Sequence, residues 1–139
     1  MVKNMRRLKM AIIAIIIISL MTGPVLARRA MNTIDPIVTL NSNNRQLLVT
    51  GPIACTQGEK VTIDIVIVQR SNGAVAKGSF QDFCKGEDII QNWQVNAKTV
   101  GSNTFEEGPA LAWAVAETRD HNIVTDAGQW ALEVNVTRQ

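Results

Sequence analysis

From Ile37 to the end of the chain, apolar and polar residues alternate in short runs separated by turn-forming residues, and no run after the first 27 residues keeps a helical period. The clearest run is Val61, Ile63, Ile65 and Ile67, alternating with Thr62 and Asp64 before Val66 and Val68 make its far end apolar on both faces. Ser71-Asn72-Gly73-Ala74 follows. Asn-Gly is the favoured centre of a two-residue type I′ hairpin, because both central residues must accept positive φ. That turn pairs Ser71 with Ala74, and counting outward sets Ile67 opposite Gly78, Ile65 opposite Phe80 and Val61 opposite Cys84. Asp82 then falls opposite Ile63 on the apolar face, which requires a bulge between Phe80 and Cys84 or solvent access near the sheet end.

The other runs read as strands of the same kind. Ile37 to Leu40 and Gln46 to Ile53 come first, the second interrupted by Gly51-Pro52 in the manner of an edge or a bulge. Gln91 to Val100 sets Trp93, Val95 and Ala97 against Gln94, Asn96 and Lys98, the alternation of a half-buried antiparallel strand. Ala110 to Ala116 is different: Leu111, Trp113 and Val115 share one face and four alanines the other, so the segment reads as buried on both sides. Trp130, Leu132, Val134 and Val136 alternate with polar or small residues in a last strand. All three tryptophans fall on inferred inner faces, where each could bury about 200 Å². About seven such strands predict an all-β domain, a single antiparallel β-sandwich.

The first 27 residues change the picture from a cytoplasmic to an exported chain. Lys3, Arg6, Arg7 and Lys9 precede an aliphatic run from Ala11 to Met21, which breaks at Gly23-Pro24 and closes on Val25-Leu26-Ala27. A basic head, a short apolar middle and a small-residue exit describe a cleavable signal peptide. The apolar run is too short for the roughly 20 residues of a spanning helix, so no membrane span is expected once the leader is removed. The expected organisation is a signal peptide over 1–27, a flexible lead-in with a first edge strand over 28–45, and the sandwich domain over 46–139. Removing the leader's four basic residues from the 14 leaves ten against 12 acidic ones, a net charge of −2. Nucleic-acid binding, which needs a concentrated positive field, thereby loses its support.

Cys55 and Cys84 are the only cysteines. In an exported chain an even pair reads as a disulfide, and no Cys-x-x-Cys marks a redox site. In the hairpin register above, the bridge would staple the end that the turn does not hold.

Enzymatic chemistry is not marked. His121, the only histidine, lies in the turn-like Arg119-Asp120-His121-Asn122, without evident triad or zinc partners. No phosphate-cradling glycine loop, nucleophile elbow or zinc-protease motif appears. Glu87-Asp88 and Glu106-Glu107 could lend oxygens to calcium but read better as solvated turn charges, and no cofactor is implied. Asn135-Val136-Thr137 fits the N-glycosylation triplet inside a strand.

The landmarks Cys55-Thr56-x-Gly58-Glu59-x-Val61, Phe83-Cys84-x-Gly86, Trp93, Phe105-x-x-Gly108-Pro109-Ala110 and Asp126-x-x-Gln129-Trp130 resemble those of small secreted bacterial proteins of uncharacterised function with an immunoglobulin-like sandwich. The resemblance implies that fold and export, and brings no catalytic residue. It departs from the antibody arrangement because no Trp lies between the cysteines. The expected role is that of a non-enzymatic secreted or cell-surface module that binds an extracellular protein or is structural. It would act through a sheet face, a loop end or strand addition at the Gln46 to Ile53 edge. The stripe Ala110, Ala112, Ala114 and Ala116 is the candidate contact face, since small side chains permit close approach, although the same stripe could pack inside the domain. Alternatives are a carbohydrate-binding module, with Trp93 and Trp130 stacking on a glycan, and a secreted enzyme inhibitor presenting a rigid loop.

Overall fold

A computed structural model of the chain describes residues 33–139, so the expected leader over 1–27 and the start of the lead-in, 28–32, lie outside the described residues. Among the described residues seven strands form: β1 Ile37–Leu40, β2 Gln46–Cys55, β3 Lys60–Gln69, β4 Ala74–Phe83, β5 Gly86–Val100, β6 Gly108–Asp120 and β7 Ile123–Arg138. The all-β expectation holds, but the immunoglobulin-like sandwich does not. The strands close into one barrel in the order β1-β2-β5-β4-β3-β6-β7.

Closure depends on two short seams. β4 and β5 pair only through Val75, Ala76 and Lys77 with Val100, Thr99 and Lys98. Four-residue β1 bridges the other gap, running parallel to β7 from Ile37↔Asn135 to Leu40↔Arg138 and antiparallel to β2 at Thr39↔Leu48 and Leu40↔Leu47. Period-two alternation is the same in a sandwich and in a barrel, since both have one buried face per strand. The pairing of edges decides between them, and alternation carries no information about it.

Both seams lie at one end, which is latched by its loops. Gln69, fully buried, donates from Nε2 to the Glu106 carbonyl at 2.9 Å, while its Oε1 accepts from the Glu106 amide at 2.9 Å and from Asn72 Nδ2 at 2.7 Å. Phe105 is buried beside it and donates its amide to the Asn44 carbonyl at 3.1 Å. At the opposite end the Cys55–Cys84 disulfide joins the ends of β2 and β4, and Gln91 bonds the Phe83 carbonyl and the Lys85 amide. Closing a loop with a sequence separation of 29 is worth about 3 to 4 kcal/mol on chain-entropy grounds.

The β3–β4 hairpin is set two residues away from the expected register. Gln69 pairs with Ala74, Ile67 with Ala76, Ile65 with Gly78, Ile63 with Phe80 and Val61 with Asp82. The loop is therefore four residues, 70–73. Only Gly73 takes a positive φ, 71°, and the Asn72 side chain accepts from the Ala74 amide instead of Asn72 entering the left-handed region. A shift of two keeps every side chain on its predicted face. The two-residue turn with both φ positive occurs instead at His121 (49°) and Asn122 (66°), joining β6 to β7. Asp82 needs no bulge: the pairing runs unbroken to Phe83 and the carboxylate is exposed at the barrel end. β2 likewise continues through Gly51 and Pro52, paired with Trp93 and Asn92, and shifts register only between Ile53 and Cys55.

The interior is filled by alternating small and large residues across neighbouring strands, the usual solution for a narrow barrel. One inner row runs Ala76, Ile67, Ala112, Leu132 across β4, β3, β6 and β7; the next runs Gly78, Ile65, Ala114, Trp130. On the far side Gly51 of β2 pairs with Trp93 of β5, and a Cβ on Gly51 would stand 2.6 Å from the indole and 2.3 Å from the Thr33 carbonyl.

Candidate functional site

The small–large alternation decides which way β6 faces. Ile63, Ile65 and Ile67 of β3 already fill the space on one side of it, and Trp130, Leu132 and Val134 of β7 enter from the other. Only alanines fit between them. Ala110, Ala112, Ala114 and Ala116 accordingly point inward at 5, 0, 0 and 7% exposure. The stripe singled out as a contact face therefore lies inside this domain.

Leu111, Trp113 and Val115 are turned outward by the same constraint, at 41, 52 and 46% exposure. Trp113 thus departs from the inner-face expectation, whereas Trp93 is wholly buried and Trp130 half-buried. The registers place these outer residues in a sheet-wide patch. Val75, Val68, Leu111 and Glu133 form one row across β4, β3, β6 and β7. Lys77, Val66, Trp113 and Ala131 form the next, and Ser79, Asp64, Val115 and Gln129 the third. Val100 of β5, 55% exposed, extends the first row beyond Val75. Asp64 is tied to the Ser79 hydroxyl. The result is an apolar centre around an indole with charges at its margin, the anatomy of a protein contact surface.

Among the described residues the titratable groups singled out in the sequence lie apart from one another. His121 is a turn residue whose Nδ1 lies 2.7 Å from its exposed neighbour Asp120. Glu87 accepts from the Thr56 hydroxyl, and Glu107 accepts from the Arg138 amide at the far end of the barrel from Glu87 and Asp88. No group of three or more His, Cys, Asp or Glu side chains is placed to hold a metal among the described residues. A shallow recess beside β1, lined by Thr39, Asn41, Gln46 and Asn96 among others, carries no acidic, basic or imidazole side chain. Asn135 of the glycosylation triplet is exposed, and its backbone N–H donates to the Pro36 carbonyl at 2.7 Å.

Two further expectations are revised by position. Trp93 cannot stack on a glycan, since the barrel encloses it. The Gln46 to Ile53 segment is not a simple edge, because β5 pairs with its whole length and residues 33–36 cover part of its other side, with the Asp35 amide bonded to the Thr50 carbonyl at 2.9 Å. Among the described residues no helix is long and apolar enough to cross a membrane.

No known protein family and no curated protein matches the chain.

Leu111, Trp113 and Val115 read in the sequence as one face of a segment buried on both sides, because the whole of β6 is apolar. The usable signal was the disparity in side-chain volume between its two faces. In a narrow barrel the smaller set must face inward.

Proposed function

We propose that the protein is an exported, non-enzymatic binding module that engages another protein through the outer face of β3 and β6. The observation that carries this reading is the exposure of Leu111, Trp113 and Val115 on a strand paired on both sides. Half-exposed indole and aliphatic groups in consecutive outward positions leave apolar surface in water, at roughly 25 cal/mol per Å², unless something covers it. Their strand is held by β3 and β7, so the face is preorganised and little ordering entropy opposes binding. The Cys55–Cys84 bridge is compatible with an oxidising location outside the cytoplasm, and the leader supports the same address.

A glycan platform is the weaker reading. Sugar stacking uses aromatic rings set side by side, and this face carries Trp113 alone.

Hydroxyl-radical footprinting tests the proposal. The protein is labelled in the medium or envelope fraction of its own host, and again after purification and dilution. Protection of Leu111, Trp113 and Val115 in the native fraction, lost on dilution, is the expected result. Equal labelling in both states would contradict it.

A further inference from the structure

We infer that the occupant of this face is a second copy of the same chain, packed sheet to sheet about a two-fold axis that runs parallel to the strands between β3 and β6. The inference rests on the reading of the face as a contact surface and goes beyond it by naming the partner.

The charge distribution is the argument. On the β4 margin Lys77 stands directly across the β4–β5 seam from Lys98, both exposed, and neither has an ion-pair partner among the described residues. Like charges in direct cross-strand register are unfavourable and leave an acidic partner wanting. On the opposite margin, one strand beyond Trp113, stands exposed Glu133. The two margins are thus opposite in sign and lie on opposite sides of an apolar centre.

A two-fold axis between β3 and β6 exchanges β3 with β6 and β4 with β7. Trp113 of each copy then lies over Val66 of the other. Glu133 of each copy lies over β4 of the other, one row from Lys77, and this charge contact forms twice by symmetry. The other in-plane two-fold, across the strands, stacks Trp113 on itself but also sets Lys77 against Lys77. The charges therefore select the first arrangement.

Size sets the strength. Three strand spacings of about 4.8 Å and two two-residue steps of about 6.8 Å, with side-chain margins, outline roughly 400 Å². That is about half the ~800 Å² per partner of a stable standard interface. A reversible dimer is expected, dissociating on dilution through the micromolar range.

The test is sedimentation equilibrium of the disulfide-intact protein, with thermal melting to confirm folding of each variant. Wild type should dimerise with concentration, and Trp113→Lys should weaken association about 100-fold. Lys77→Glu and Glu133→Lys should each weaken it about 5- to 10-fold, while the double swap returns to within about 3-fold of wild type. Should Trp113→Lys fail to fold, Val115→Lys replaces it. A protein that stays monomeric up to about 1 mM overturns the inference, as does a dimer indifferent to Trp113→Lys or a double swap no better than its parents. A monomer whose outer face is still protected in the native fraction would remove the second copy and leave the contact face standing.

Discussion

Strands β5 and β6 are both long, both alternate and both carry a tryptophan near the middle, yet they use their two faces in opposite ways. β5 buries Trp93, Val95 and Ala97 and shows water Gln94, Asn96 and Lys98. β6 buries its four alanines and shows water Leu111, Trp113 and Val115. The difference arises from the neighbours. Trp93 has Gly51 beside it on β2, which leaves room for an indole, whereas β6 is flanked by isoleucines on β3 and by Trp130 and Leu132 on β7. Inward volume, not hydrophobicity, orients a strand whose two faces are both apolar. A strand that retains large apolar residues on its outer side after that choice is marked for a partner.

The sharpest way to break the comparison is to exchange the fates of its two tryptophans. Trp93→Ala removes a fully enclosed indole and should cost about 3 to 5 kcal/mol, enough to unfold much of the population at 37 °C, as read by urea denaturation. Removing the bridge with Cys55→Ser and Cys84→Ser together should cost somewhat less, about 3 kcal/mol, with the midpoint for urea falling accordingly. Ala114→Leu forces three additional carbons between Ile65 and Trp130 and should cost about 1 to 3 kcal/mol, a penalty that a truly outward alanine would not show.

Asn122→Gly relieves a left-handed residue in the two-residue β6–β7 turn and should raise stability by about 0.5 kcal/mol, a small rise in melting temperature. Trp113→Ala should change the stability of the dilute protein by less than about 0.5 kcal/mol, the smallest effect, although it removes the same side chain as Trp93→Ala.

These contrasts separate the features that local sequence dictates from those that only the closed barrel dictates. The strands were legible because each has one buried face, and Val61 to Val68 emerged as β3 with every residue on its predicted side. The cysteine pair was legible from export and parity, and its bridge forms. Barrel closure was not. It depends on four residues at Ile37–Leu40 meeting Asn135–Arg138, nearly a hundred residues apart, and on a three-residue seam between β4 and β5. No local pattern encodes either meeting.

The turns misled for a related reason. Asn72-Gly73 has the strongest local preference for a two-residue turn, but Gln69 is drawn into the latch with Glu106 and Asn72, and a four-residue loop serves that latch. Tertiary hydrogen bonding overrode a turn propensity. The left-handed turn moved to His121-Asn122, whose side chains tolerate positive φ better than most. The candidate site failed in the same way at β6: the faces were separated correctly, and the choice between them awaited the volumes of Ile65 and Trp130 across the barrel.

The central claim, that β6 turns its large residues outward, is tested most directly by ¹⁹F NMR of protein labelled with 5-fluorotryptophan, in dilute solution with a soluble gadolinium chelate. Three resonances arise, assigned by Trp113→Phe and Trp130→Phe. The resonance of Trp113 should broaden most steeply with chelate, that of Trp130 less, and that of Trp93 hardly at all. A Trp113 signal as sheltered as that of Trp93 in the dilute monomer would contradict the account.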